Sequence, residues 1–238
     1  YLPVVVLVAN SFNASRFGGS WEGFTLEWYR KLATQREIWT ALKNTLLVAV
    51  AATAVSTVVG TSAAFALHRF RTRLQKVHYL LVYTPLVIPE ILMGMGLLLF
   101  FVTIGLRLGL LTVALSHVTF CISYVAFVVL GRLQDFDWGL VEAAEDLGAT
   151  PWAAFRKVVL PNLAPGIAAG ALLAFTLSID DFVITFFTSG PGSTTLPVRI
   201  YSMIKHGSPA LINALSTILL VVTFTTVWLS QRLTRENR

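Results

Sequence analysis

Glu90, Asp180 and Asp181 lie inside long apolar runs, where an ionisable side chain is costly and is by default a candidate for function. The runs that carry them contain no lysine or arginine. Acids alone in a low-dielectric path suit a cation, because carboxylates or aromatic faces offset the hydration that a cation loses there. The same three acids admit other uses. Each can hydrogen-bond a neighbouring helix or meet water at the end of a span. Glu90 with one aspartate could form the acid and base pair of an intramembrane hydrolase, and a passive cation channel would need the same groups. Asp180 and Asp181 cannot form that pair alone, since adjacent residues on a helix point about 100° apart.

That angle also distinguishes the two aspartates. On one continuous helix Ser178, Asp181, Thr185 and Thr188 share a polar stripe, whereas Asp180 is flanked by Thr176, Leu177, Val183, Ile184 and Phe187. The stripe makes Asp181 the better pathway candidate, with Ser178 and Thr185 beside it, and leaves Asp180 to pair with a neighbouring helix or a partner. Adjacency keeps both open. Pro85 and Pro89 precede Glu90 and can break the helix, exposing carbonyls to a cation, or merely kink it.

The elements that must hold these acids are membrane helices. The 238 residues are 55% hydrophobic and 13% charged, with a mean hydropathy of +0.73. Several apolar runs reach the roughly 20 residues that cross a hydrocarbon core of about 30 Å. They are continuous rather than alternating, which excludes barrel strands and leaves helices. Spans are expected at about 40–67, 77–104, 110–130, 166–188 and 211–229. The apolar run 2–9 is too short to span and is expected to close a first helix that starts before Tyr1, giving six. Residues 10–37 are polar with interfacial aromatics, Trp21, Trp28 and Tyr29 among them. The fold class is therefore an all-α integral membrane domain over 1–238, with a polar segment at 131–165.

Orientation follows from the loops. The short connection 68–76 carries Arg69, Arg71, Arg73 and Lys76, which places it in the cytoplasm. Alternation then puts the 142–161 insert and the tail with Arg232, Arg235 and Arg238 on the same side, both termini inside. Basic residues beside spans also account for the net charge of +6 without nucleic acid. Cys121 is the single cysteine, which rules out an internal disulfide.

The insert reads as two capped helices. Asp137 suits an N-cap for a helix over about 138–147, and Gly148 suits the left-handed residue that ends it. Thr150 caps a second helix with Pro151 in its first turn, where a missing N–H costs nothing. Leu140, Ala144 and Leu147 form an apolar stripe, with Glu142, Glu145 and Asp146 facing elsewhere. Ala143 and Ala144 leave room for a close partner. Leu160-Pro161 and Pro165 are expected to break the chain before it re-enters the membrane. A loop lying on the bilayer is the competing reading, against which the acidic face would be repelled by anionic lipid.

Glu142-Ala143-Ala144, then Gly148, Val158 and Leu160-Pro161, resemble the EAA loop of bacterial ABC-importer permeases, with valine where the pattern usually has isoleucine. The resemblance implies a type I importer fold of six helices in the bacterial inner membrane. It implies a coupling helix in which Glu142, Ala143, Ala144, Asp146, Leu147 and Gly148 meet a cytoplasmic ATPase dimer. Asn10-Ser11-Phe12-Asn13, 117–121, 175–181 with Leu177-Ser178-Ile179-Asp180-Asp181, Leu196-Pro197 and Asn213-Ala214-Leu215 are similar to spermidine/putrescine permeases of the C type. Importers of other small amines, opines or aminophosphonates share the Leu-Ser-x-Asp-Asp stretch. The resemblance also implies a second homologous permease as heterodimer partner and a periplasmic or extracellular polyamine-binding protein. No cofactor is expected on this chain, with ATP and magnesium held by the ATPase.

Gly-x-x-x-x-Gly-Lys and His-Glu-x-x-His are absent from the sequence, so neither an ATPase site nor a metal is expected here. His117 could gate or bind, but a lone membrane histidine more often bonds a neighbouring helix. Gly60 with Ala64, and Gly166-x-x-x-Gly170, fit close helix packing. Trp21, Trp28 and Tyr201 could stack on a passing substrate or anchor at the interface. Asn13-Ala14-Ser15 fits a glycosylation sequon.

Overall fold

The structure is a computed structural model that describes residues 1–70 and 73–236. Arg71 of the basic connection and Arg238 of the tail lie outside the described residues. The chain forms α1 (Leu2–Ser11), α2 (Glu27–Thr34), α3 (Arg36–Arg69), α4 (Gln75–Val87), α5 (Glu90–Thr103), α6 (Leu110–Gln134), α7 (Gly139–Asp146), α8 (Pro151–Ala154), α9 (Leu160–Asp180), α10 (Val183–Thr188), α11 (Leu196–Lys205) and α12 (Pro209–Glu236). Among the described residues four helices are long and apolar enough to cross a membrane, and a fifth span results if the bent pair α4 and α5 counts as one. Helix α1 is apolar but short.

Two compact units can be distinguished, Tyr1–Leu42 with Leu196–Arg238, and Lys43–Thr195. In the first, Trp28, Ala210 and Ala214 form one small core, and Leu32, Ile38, Leu196, Met203 and Leu215 form another. Asn13 organises the loop after α1: its Oδ1 accepts from the amides of Ser15 and Glu22, and its Nδ2 donates to the Ser20 carbonyl. Trp28 is 8% exposed and its Nε1 donates to the Asn13 carbonyl. A buried, bonded indole is a packing group here. Trp21 remains exposed.

The second unit is built on small residues. Gly166, Gly170, Ala174 and Ser178 recur every fourth residue along α9 and are all buried, and α6 lies against them. A Cβ on Gly166 would approach Arg132 Cβ at 3.0 Å, and one on Gly170 would approach Val125 Cα at 3.4 Å. Cys121 Sγ reaches the Ala174 carbonyl at 3.6 Å. From the other side, a Cβ on Gly60 of α3 would sit 2.8 Å from both the Ile122 carbonyl oxygen and Val125 Cβ. Gly60→Val is therefore expected to overpack the α3–α6 seam and cost ~1–3 kcal/mol, read as a lower melting temperature of the purified protein. An unchanged melting temperature would contradict the close approach.

Three expected boundaries are corrected. The span expected over 77–104 breaks, α4 and α5 meeting at 113°. Ile88 is extended (φ −67, ψ 130), as the residue before a proline prefers, and Pro89 then opens α5. The helix expected over 166–188 ends at Asp180 and restarts at Val183. Lastly, Leu160-Pro161 and Pro165 do not break the chain, since residues Pro151–Asp180 run as one 30-residue helix. A π turn at Phe155–Val159 widens the backbone just ahead of Pro161, which occupies the first turn of the following α segment. A proline's missing N–H is tolerated at such a position.

Candidate functional site

Two places in the second unit gather the predicted residues, and the helix Pro151–Asp180 links them. At its start is the insert. Asp137 Oδ1 accepts from the Gly139 amide at 2.9 Å and opens α7. Gly148 closes the turn at φ +88, its amide donating to the Glu145 carbonyl at 2.9 Å. Thr150 Oγ1 accepts from the Ala153 amide at 3.3 Å and caps α8, with Pro151 in its first turn. The backbone chemistry read from the sequence is thus present.

The apolar stripe of α7 points outward. Leu140 is exposed and Leu147 is 90% exposed, while Val141 and Trp138 pack toward the core of the unit. Trp138 is the anchor: its Nε1 donates to His68 Nε2 at 3.3 Å, its ring stacks on His68, and Arg69 lies 5.5 Å over it. The α7 helix is thereby fastened to the end of α3. Glu142, Ala143, Asp146, Leu147 and Gly148 are exposed and Ala144 is half-buried. The turn thus carries an exposed leucine flanked by acids and small residues.

At the other end of that helix lies a cavity of about 470 Å³. Among the described residues the lining includes Glu90, Asp180 and Asp181 with Pro85, Pro89, Phe120, Tyr124 and Phe182, and no lysine or arginine. The two helix breaks open it. Ile88 and Pro89 turn the chain so that Glu90 begins α5, where an acid also suits the helix dipole. Asp181 leaves the helix (φ −59, ψ 123), so that Asp180 is the last helical residue of α9.

The stripe of Ser178, Asp181, Thr185 and Thr188 exists but faces inward. Ser178, Thr185 and Thr188 are buried, and the Asp181 side chain is 5% exposed. Asp181 carboxylate oxygens accept from the amides of Ile184 (3.3 Å) and Thr185 (2.8 Å) and from the Thr185 hydroxyl (2.8 Å). His117 is fully buried, with Nδ1 2.7 Å from Ser178 Oγ and Nε2 2.9 Å from Thr185 Oγ1. Asp180 and Glu90, by contrast, are exposed. On an unbroken helix Asp181 would lie on that stripe without capping anything; the break makes it a capping residue at the edge of the cavity and turns Asp180 outward.

Two aromatic lining groups were not singled out from the sequence, nor was a threonine that supports the break from outside the lining. Phe120 and Tyr124 follow His117 at helical spacing on α6, a signal that was available. Thr112 was not legible: its Oγ1 accepts from the Gly109 amide and lies 2.7 Å from the Thr188 carbonyl, to which it can donate. That contact needs α10, whose existence depends on the break. Tyr201 belongs to the first unit, with Lys205 Nζ 5.1 Å over its ring. Among the described residues no group of three or more histidine, cysteine, aspartate or glutamate side chains could hold a metal ion.

The family described as binding-protein-dependent transport system inner membrane component matches residues 56–235. The chain is 41% identical over 237 residues to the spermidine/putrescine transport system permease protein PotC of Escherichia coli (strain K12), covering 100% of this chain and 90% of that protein. It is 42% identical over 227 residues to the putrescine transport system permease protein PotI of the same organism, covering 92% and 81%. Among solved structures, the bacterial alginate ABC transporter in complex with an alginate pentasaccharide-bound periplasmic protein aligns with a TM-score of 0.75 at 17% identity over 99% of this chain and 88% of that one. The MetNI methionine ABC transporter in inward-facing form aligns at 0.66 and 20% identity over 89% and 98%. Those two likenesses concern the fold.

Proposed function

The chain belongs to the family of binding-protein-dependent transport system inner membrane components, and on that premise we propose that it is a polyamine-translocating permease subunit of an ATP-driven importer. One observation carries the reading. A single continuous helix, Pro151–Asp180, has a partner-facing turn at one end and an exposed carboxylate in a cation-suited cavity at the other. Thirty residues at ~1.5 Å each span about 45 Å, enough to carry a displacement across a bilayer. The names of the relatives in Escherichia coli support spermidine or putrescine as cargo.

In this reading an ATPase dimer grips the exposed face of α7 around Glu142, Ala143, Leu147 and Gly148. Trp138 passes the displacement to α3, and the continuous helix passes it to Asp180. ATP and magnesium stay on the ATPase. A second permease completes the pathway, and a binding protein on the outer face delivers the polyamine. Both termini lie in the cytoplasm, by the basic connection at 68–76. ATP and loaded binding protein then bias one two-state equilibrium between outward and inward openings.

Glu90 and Asp180 offset the ammonium charges, with Phe120, Tyr124 and Phe182 offering ring faces. A hydrolase pairing of Glu90 with Asp181 fits poorly, since Asp181 is taken up by three donors; one with Asp180 would show as turnover of a substrate by this chain alone. A passive channel has no use for the turn at 146–150. The test is accumulation of labelled spermidine by vesicles holding this chain with its companion subunits. ATP on the cytoplasmic side should drive uptake above equilibrium, and Glu90→Gln should raise the half-saturating concentration severalfold. Equilibration without ATP at a similar rate would overturn the reading.

A further inference from the structure

One buried imidazole divides the labour between the adjacent aspartates. His117 projects from α6 into the break between α9 and α10 and touches all three sides of it: Ser178 before the break, Asp181 in it and Thr185 after it. The protons can be placed from chemistry. A carboxylate only accepts, so the Thr185 hydroxyl, 2.8 Å from Asp181 Oδ2, spends its proton there. Thr185 Oγ1 must then accept from His117 Nε2–H, 2.9 Å away, and that same N–H lies 3.3 Å from Asp181 Oδ2. Nδ1 lies 2.7 Å from Ser178 Oγ, a hydroxyl that can pair with it as donor or as acceptor.

We propose that His117 is a positioning residue that holds the α9–α10 break open and so keeps Asp180 turned into the cavity. Asp181 leaves the helix because its carboxylate is held against the start of α10, and the imidazole holds that carboxylate from behind. Thr112, 2.7 Å from the Thr188 carbonyl, pins the far end of α10 to the same helix. With the clamp lost, Asp181 keeps only local bonds and the chain can rewind onto α9. Residues three and four ahead on a helix stack over the residue behind, so Val183 and Ile184 would then cover Asp180. The acid that meets the cargo depends on a histidine that never does.

This inference rests on the cation-pathway reading above, and the experiment separates the two. Spermidine uptake is measured for His117→Leu, His117→Gln, Asp180→Asn and the Leu/Asn double variant in the complete assembly. Unstimulated ATPase and membrane level report assembly. His117→Leu should raise the half-saturating concentration about tenfold, the scale of one hydrogen bond to a charged group, with little change in maximal rate. His117→Gln, whose amide can still donate toward Thr185 and Asp181, should recover most of that loss. On the Asp180→Asn background His117→Leu should add almost nothing, because both act through one carboxylate. Should His117→Leu fail to assemble, Ser178→Ala and Thr185→Ala take its place, each with a smaller rise that disappears on the same background. Normal uptake by the His117 variants, or effects that multiply with Asp180→Asn, would overturn the positioning role alone. Normal uptake by Asp180→Asn would overturn the pathway reading and this inference with it.

Discussion

Gly148→Pro is expected to abolish both spermidine uptake and the ATPase response to loaded binding protein, with the chain still present in the membrane at its usual level. Gly148 sits at φ +88, and proline is fixed near −65°. The substitution also removes the amide that donates to the Glu145 carbonyl at 2.9 Å, the bond that closes α7 onto the turn. The turn cannot form, and the exposed Leu147 and Glu142 lose their places. The damage is local, because nothing lies within 4 Å of a Cβ built at Gly148 and no core contact is broken. Uptake should fall at least a hundredfold, which a strained backbone at a mechanical junction can produce. Gly148→Asn separates the causes, since asparagine accepts the left-handed conformation; it should lie nearer the parent than the proline variant. A proline variant that transports normally would show that the turn transmits nothing.

Asp180→Asn is the second large effect, and it should differ in kind. The carboxylate is exposed in a cavity whose lining, among the described residues, holds no lysine or arginine, and in the proposed reading it meets the ammonium groups of the cargo. Its loss should raise the half-saturating polyamine concentration by about tenfold or more, the weight of a charge-assisted hydrogen bond, and leave membrane level and unstimulated ATPase alone. Asp181→Ala should show the converse. The Asp181 carboxylate caps Ile184 and Thr185, and replacing a cap by alanine costs ~0.5–2 kcal/mol, read as a lower melting temperature. If the two variants exchanged these signatures, the assignment of pathway and capping roles would be reversed.

The fold was readable where physics is local. Continuous apolar runs gave the helices, and Asp137, Gly148, Thr150 and Pro151 gave the caps of the insert, because each acts on backbone within a few residues. The small residues at Gly60, Gly166 and Gly170 predicted close seams, and the structure gives each a partner on α6. Differences arose where a proline met an irregular turn of its own helix or a polar side chain met something distant in sequence. Leu160-Pro161 looked like a stop, yet the π turn ahead of it absorbs the missing bond. Asp181 looked the better pathway candidate on an ideal helix, with Asp180 left open; in the structure both border the cavity, and His117, distant in sequence, holds the Asp181 side chain inward. Which way the apolar stripe on α7 points was not legible for a similar reason: Trp138 fixes the helix by way of His68, and this leaves Leu140 and Leu147 outside.

The central claim is that one helix couples a nucleotide-driven push at Gly148 to a cation-binding carboxylate at Asp180. Its most direct test is to record spermidine accumulation and ATP hydrolysis on the same vesicles, for the parent chain, Gly148→Pro and Asp180→Asn, each with the companion subunits and loaded binding protein. The parent should accumulate spermidine only with ATP and in a fixed ratio to hydrolysis, the proline variant should lose both, and Asp180→Asn should lose uptake at low spermidine while recovering it at high concentration. Spermidine entry by the proline variant at the parent rate, or entry by the parent that ignores ATP, would contradict the account.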